Sequence, residues 1–372
     1  MAWAAIPPRL GYAYFYKPPS DGTSARFLAH HFQLIILTHG DEAYLAQLRH
    51  AGYGGPILQY VPLYEAEGPG PYVNAHARCD LAYPPYQRTV ADRPGVFCRQ
   101  IHPHESWFLH NRRGQRLYTR HRSANGIWRT VYEMNPASPG WRHFFTARLR
   151  QYRHLGFDGF FFDNVDLSRS GLLLQMADRG GLKEYPTGAL FRTAVAGFLA
   201  ALRAAFPGVP LWANLTHDPE RAGAWASYLP YLNGVMVEDF ALGWQSYPLA
   251  PEARRAQWHN IRQALGRGLA VLLVAQGARH DARRRRLALT LAWALTGSGG
   301  PVFFRYNSGS IDDYRQAWWC KLYTATPPAP RGPLQRSGLD WVRAYPGGRL
   351  RISLAPLQVT LPPRWARQWR KR

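Results

Sequence analysis

Short apolar runs bounded by glycine, proline and polar residues alternate along this chain with longer stretches whose apolar residues recur every three to four positions. Runs of the first kind read as buried strands, and stretches of the second kind read as helices packed on them. The runs are Leu10–Tyr16, Phe32–Leu37, Ile57–Val61, Phe160–Phe162, Val209–Asn214, Gly234–Glu238, Leu269–Ala275 and Pro301–Phe304. Helices are predicted at Ser24–His31, from Asp41 as cap to His50, and over Thr187–Phe206, Glu252–Leu265 and Asp281–Leu295. After a helix start at Asn135–Gly140, the stripe Trp141, Phe144, Phe145, Leu149 and Tyr152 has helical spacing and reads as core. Strands alternating with helices imply βαβ units and a parallel sheet, and eight of them predict a (β/α)8 TIM barrel over residues 1–322.

Two stretches break the alternation. Residues 62–127 are rich in Pro, Gly, Tyr and His and read as an elaborated loop after strand three, lying over the barrel rim. A hairpin is predicted within it, Trp107–His110 and Gln115–Tyr118 joined by Asn111–Gly114. Beyond Tyr323, Pro327-Pro328 and Arg331-Gly332-Pro333 read as a linker. Strand-like alternation then returns at Asp340–Tyr345, Arg349–Leu354 and Leu357–Leu361, with Gly347-Gly348 as a turn. This is too little chain for a core of its own, so 323–372 is expected to be a small β-rich C-terminal appendage with a basic tail.

Within the barrel one pattern occurs twice. Gly159 to Asp163 and Gly234 to Glu238 are each glycine, three apolar residues and a carboxylate. The first, third and fifth residues of a strand share a face. If Gly159 and Phe161 point inward, so does Asp163, and Gly234, Met236 and Glu238 follow the same rule. Both carboxylates would then emerge at the C-terminal ends of parallel strands, the rim where such barrels carry their active sites. Two carboxylates flanking one site suit glycosidic bond cleavage, with Asp163 as nucleophile or stabiliser and Glu238 as general acid/base. The plainer reading is that each acid caps the loop that follows it. Asn164 and Asp166, just after strand four, are candidates for binding sugar hydroxyls or for forming the turn. Asn214, Gln276 and Arg305 end strands five, seven and eight and are candidates to line the site. Tyr14 joins them if it faces inward. Trp107 and Trp244 are stacking platforms or packing residues, and Asp239 is expected to face away from Glu238 and pair with an arginine.

The stretches GFDGFFFDNVD and GVMVEDF, with NPASPGWRHFF, WFLHNRRGQRL and the late WVRAYPGGRLRISL, resemble hypothetical glycoside hydrolase barrels related to family 114, the endo-α-1,4-polygalactosaminidases. The resemblance spans roughly residues 9–360. It implies a TIM barrel with a catalytic Asp after strand four and a catalytic Glu after strand six, which fall on Asp163 and Glu238. The implied activity is hydrolysis of O-glycosidic bonds in a polysaccharide. The alternatives are a carbohydrate-binding barrel without catalysis and a phosphate-handling barrel. Against the last, Thr296–Gly300 precedes strand eight, on the wrong rim, and no P-loop or GxGxxG follows a strand.

Charge changes the picture of the substrate. The 46 basic and 23 acidic residues leave a net charge of +23, a field that attracts polyanions. No nucleic-acid-binding signature accompanies it, so an anionic or otherwise polar polysaccharide or oligosaccharide is the expected partner. Arg283–Arg286 read as a solvated helix face. Cys79 and Cys98 share one loop region and could pair in an oxidising compartment, but with Cys320 they read slightly better as three free thiols. His30, His31, His102, His104 and His121 lack a matching carboxylate or cysteine pattern, so hydrogen-bonded histidines are expected, with no metal or cofactor. No secretory h-region follows Met1 and no run of 18 apolar residues occurs. The default expectation is a cytoplasmic protein, or a secreted one if the natural N-terminus lies elsewhere.

Overall fold

Gly11, Gly159 and Gly234 mark where the barrel wall is most crowded. A Cβ on Gly234 would lie 2.4 Å from the Trp212 indole, one on Gly11 2.7 Å from the Phe303 ring, and one on Gly159 2.3 Å from the Pro210 carbonyl oxygen. The computed structural model describes residues 9–70, 78–86, 88–122, 128–167, 181–216, 222–243, 248–325, 327–363 and 365–366. Eight parallel strands close into a barrel: Gly11–Phe15, Leu34–Thr38, Ile57–Pro62, Gly159–Asp166, Leu211–Thr216, Gly234–Val237, Ala270–Gln276 and Val302–Asn307. Each pairs with its sequence neighbours among the eight, and the last closes on the first. This is the expected (β/α)8 TIM barrel.

Alternation along the strands separates two packed layers. Ala13, Phe15, Leu34, Ile36, Leu58, Tyr60, Phe161, Trp212, Met236, Leu272, Val274 and Phe303 fill the barrel interior. Their alternates, among them Tyr12, Tyr14, Ile35, Phe160, Phe162, Val235 and Phe304, pack outward under the helices. The helices Ala25–His31, Pro139–Tyr152, Gly188–Ala205 and Ala282–Leu295 start at Ser24, Ser138, Thr187 and Asp281, whose side chains accept first-turn amides. The helix Gly188–Ala205 is long and apolar enough to cross a membrane by composition. Here its face of Phe191, Val195, Phe198, Leu199 and Leu202 is buried in the core. Asp41 does not cap Glu42–His50. Its carboxylate turns back to accept from Thr38 N at 2.9 Å and Thr38 Oγ1 at 2.7 Å.

The segment after strand three departs from the expected irregular loop. Glu65–Gly68, Trp128–Glu133 and Tyr118–Arg122 form a three-stranded antiparallel sheet in that spatial order. The hairpin expected at 107–118 is present in short form, with Asn111 N donating to Gln115 O, Leu117 N donating to Leu109 O and a bridge between His110 and Arg116. Its first limb also pairs with the later strand: Leu109 N donates to Glu133 O, and Phe108 bridges Met134. Cys79 and Cys98 are joined in a disulfide, contrary to the free-thiol expectation, because the segment folds back and brings their Cα atoms to 5.5 Å. Cys320 is free.

At the C-terminal end, Gln335–Ser337, Asp340–Tyr345, Gly348–Leu354 and Leu357–Thr360 make a four-stranded antiparallel sheet. It packs on the helix Pro251–Gly266, where Arg262 lies 4.1 Å over the Trp341 ring, and Arg343 donates to the Ala294 carbonyl of the helix Ala282–Leu295.

Candidate active site

Asp163 stands two residues beyond Phe161 on the fourth barrel strand, and Glu238 two beyond Met236, just past the end of the sixth. Phe161 and Met236 lie in the barrel interior, so strand parity carries both carboxylates inward at the C-terminal rim. Between them, from the fifth strand, comes Asn214, which is fully buried. Its amide nitrogen donates to Asp163 Oδ1 at 2.9 Å and to Glu238 Oε2 at 2.8 Å. Those two oxygens can therefore be no farther apart than these two bonds laid end to end.

Each carboxylate also holds one tyrosine. Tyr60, inward on the third strand, donates to Asp163 Oδ2 at 2.5 Å, and Tyr314 donates to Glu238 Oε1 at 2.6 Å. Gln276 closes the Glu238 side, donating to the Glu238 carbonyl at 2.9 Å and to the Tyr314 hydroxyl at 3.4 Å. Arg305 reaches the site through Tyr314. Its guanidinium donates to the Tyr314 and Gln316 carbonyls at 2.9 and 2.7 Å and so fixes the loop that presents this tyrosine.

Burial raises both acids above the ordinary carboxylate range. Glu238 is pushed up to about 7, with the Asp163 charge reinforcing burial and the Tyr314 and Asn214 hydrogen bonds opposing it. Asp163 is raised by burial as well, against four influences that favour its charge: Tyr60, Asn214, the Asn164 amide and the Arg88 guanidinium. A second acidic pair lies behind them. Glu65 and Glu133 face each other across the inserted sheet. Burial lifts Glu65 to about 7 and Glu133 well above the usual carboxylate range.

Of the residues singled out in the sequence, Asp163, Glu238, Asn214 and Gln276 come together, and Arg305 stands behind them. Asn164 sits at positive φ, 53°, and gives its amide to Glu65 Oε1 at 2.5 Å. Asp166 turns away from the pair and accepts from Tyr64 OH at 3.0 Å. Tyr14 faces outward, not inward, with its ring against Phe32, because Gly11, Ala13 and Phe15 take the inner positions of strand one. Trp107 packs on His104 and Phe144, at ring distances of 4.2 and 5.5 Å. Trp244 lies outside the described residues. Asp239 accepts from Gln257 at 2.9 Å. Tyr60, Tyr314 and Glu65 escaped the sequence reading. Tyr60 was within reach of it, being the inward residue two beyond Leu58. Among the described residues no group of three or more His, Cys, Asp and Glu converges as a metal site.

Residues 72–349 match the profile of hypothetical glycosyl hydrolase family 15. The chain belongs to that family. Its barrel is similar to the glycoside hydrolase domain of PelA from Pseudomonas aeruginosa, at 18% identity and a TM-score of 0.50, over 81% of this chain and 96% of that one. It is also similar to the α-galactosidase TtGalA from Thermus thermophilus, at 15% identity and a TM-score of 0.52, over 94% and 67% of the two chains. At such identities the likeness speaks for the fold. A search of curated protein sequences found no match. Membership of hypothetical glycosyl hydrolase family 15 makes this chain an O-glycosyl hydrolase with a carbohydrate substrate, the class expected from its strand-four and strand-six motifs.

Proposed function

We propose that Asp163 and Glu238 are the catalytic pair and that cleavage of the polysaccharide or oligosaccharide proceeds with retention. The shared Asn214 amide carries this reading. Retaining enzymes hold their carboxyl groups about 5–5.5 Å apart, whereas inverting enzymes need about 6.5–9.5 Å to admit a water. Two bonds of 2.9 and 2.8 Å to one nitrogen hold the facing carboxylate oxygens close together and support the narrower spacing.

In the first step an Asp163 carboxylate oxygen attacks the anomeric carbon. The glycosidic C–O bond breaks and Glu238, protonated near neutral pH, gives its proton to the leaving oxygen. In the second step Glu238, now a carboxylate, takes a proton from water, whose oxygen displaces Asp163 from the sugar. Environment divides the roles. The hydrogen bonds from Tyr60 and Asn214 and the nearby Arg88 charge favour ionised Asp163, whereas burial and the Asp163 charge keep a proton on Glu238.

The test is reducing-end release from galactosaminogalactan, acidic exopolysaccharides and α-glucans, with p-nitrophenyl α-D-galactopyranoside as a small probe. Wild type, Asp163→Asn and Glu238→Gln are compared, and the anomeric configuration of the first product is read by NMR. Both variants are expected to lose about a thousandfold or more in kcat/KM, and the product to keep the anomeric configuration of the substrate. Cleavage undiminished in both variants would end the assignment. Tight glycan binding with no cleavage by wild type would favour a carbohydrate-binding barrel.

A further inference from the structure

Arg88 has an unusual position for an arginine. Its side chain is 13% exposed, and its nearest carboxylate contact is Nε to Glu67 Oε2 at 3.8 Å, beyond hydrogen-bonding reach. Nε is buried without a partner, and among the described residues none of the guanidinium N–H groups donates a hydrogen bond. Glu67 is already occupied, accepting from Tyr83 OH at 2.9 Å, Tyr86 N at 3.0 Å and Arg129 Nη1 at 2.6 Å. Buried polar groups are almost always paired, so an unfilled guanidinium beside the catalytic carboxylate calls for an explanation.

Its surroundings supply one. The inner wall runs from Asp163 to Tyr60 by a hydrogen bond, and from Tyr60 to Tyr16 at a ring distance of 5.0 Å. Tyr16 is 4% exposed, and its hydroxyl faces Tyr86 and Arg88. The ammonium of Lys17 lies 4.9 Å from the Tyr86 ring centre. The unfilled Nε of Arg88 thus lies on the Tyr60–Tyr16 side of Asp163.

We propose that Arg88 is the recognition residue of a glycan subsite adjoining Asp163, and that the sugar taken there carries a carboxylate. The inference rests on the glycosidase reading and names its substrate as a uronate-bearing glycan. A planar guanidinium matches a carboxylate with two parallel hydrogen bonds, a geometry a neutral hydroxyl cannot reproduce. An amino sugar would bring a second cation against Arg88. The net charge of +23 draws an acidic polymer toward the whole surface and disfavours a cationic one.

The experiment uses the full chain carrying Glu238→Gln, so that ligands are bound and not consumed. Oligogalacturonates, oligoglucuronates and oligomannuronates are titrated calorimetrically beside their carboxyl-reduced counterparts and beside galactosamine oligomers. At least one acidic series is expected to bind about tenfold or more tightly than its reduced form. Adding Arg88→Gln is expected to abolish that preference while the reduced form binds as before. Should Arg88→Gln fail to fold, Arg88→Lys decides: the point charge without the fork must lower the preference several-fold. No acid preference in any series, tighter binding of galactosamine oligomers, or a preference unmoved by the Arg88 changes overturns the proposal. An arginine that only balances Glu65 and Glu67 would alter stability and leave discrimination intact. Lack of cleavage by wild type, with acid preference retained, would overturn the catalytic assignment alone.

Discussion

Under the proposed mechanism, the Tyr314 hydroxyl helps to set the working range of the acid. Its hydrogen bond to Glu238 favours the charged carboxylate and so lowers a pKa that burial has raised to about 7. The proposed role of Glu238 as general acid requires its protonated form, so kcat/KM is expected to fall as pH rises through about 7. Removing a bond that stabilises the charged form raises the pKa further. Tyr314→Phe should therefore move the alkaline limb to higher pH by roughly one unit, with kcat lowered far less than in Glu238→Gln. An alkaline limb that stays put in Tyr314→Phe would mean that Glu238 is not the titrating acid. At this scale the sequence was informative where strand parity could be anchored. Gly159 and Gly234 mark inward positions because the wall is crowded there, and counting by two from them reaches Asp163 and Glu238. Gly11 marks the same face on strand one, and the same count places Ala13 and Phe15 inside and Tyr14 outside. Tyr14 was a candidate only if it faced inward, and this count excludes it. Tyr314 had no such anchor, since it belongs to the short helix Ile311–Tyr314 beyond strand eight.

The insertion after strand three was legible as an insertion but not as a sheet. Glu65–Gly68 is Glu-Ala-Glu-Gly, and Tyr118–Arg122 is Tyr-Thr-Arg-His-Arg, neither of which has the apolar alternation of a half-buried strand. The carboxylates of Glu65 and Glu67 are buried because partners from elsewhere meet them: Asn164 for the first, and Tyr83, the Tyr86 amide and Arg129 for the second. Such compensation belongs to the fold and leaves no local trace. The Cys79–Cys98 disulfide, with a sequence separation of 19, closes the loop that delivers Tyr83, Tyr86 and Arg88 to this wall. Its loss, in Cys79→Ser/Cys98→Ser or under reductant, is expected to cost about 3 kcal/mol. If the loop supplies substrate contacts and not the reacting groups, KM should rise more than kcat falls. Thermal unfolding and steady-state kinetics with and without reductant check both parts. Unchanged melting would show that the bond constrains nothing, and a fall in kcat alone would place the loop in the chemistry.

Across the whole molecule, buried acids on one side and paired acids on the other set opposing limits on stability. Burial pushes Glu65 and Glu238 up to about 7 in the folded chain and lifts Glu133 well above the ordinary value of 4.5. The folded state therefore binds more protons than the unfolded state above pH 4.5, and stability must fall as pH rises through that window. His110 acts in the same direction. It is raised by its bonds to Glu105 and Glu184 at 2.8 and 2.6 Å, so its contribution is full below its ordinary 6.5 and lost as pH climbs past its folded value. Glu105 opposes them: held down to about 2 by Arg116 and His110, it contributes stability above 4.5 that disappears as pH drops toward 2. The two trends place the stability maximum on the acid side of neutrality, near pH 5. Glu133→Gln isolates the buried cluster, because it removes one ionisable group and keeps the shape. It should melt with wild type at pH 5 and above it at pH 8, the gap reflecting a difference on the order of a few kcal/mol. Denaturant midpoints from pH 4 to pH 9 at constant ionic strength would show the crossover. Parallel curves for the two proteins would mean that Glu133 loses its proton in the folded state as readily as in the unfolded one, and the pH dependence would then have to come from the surface charge.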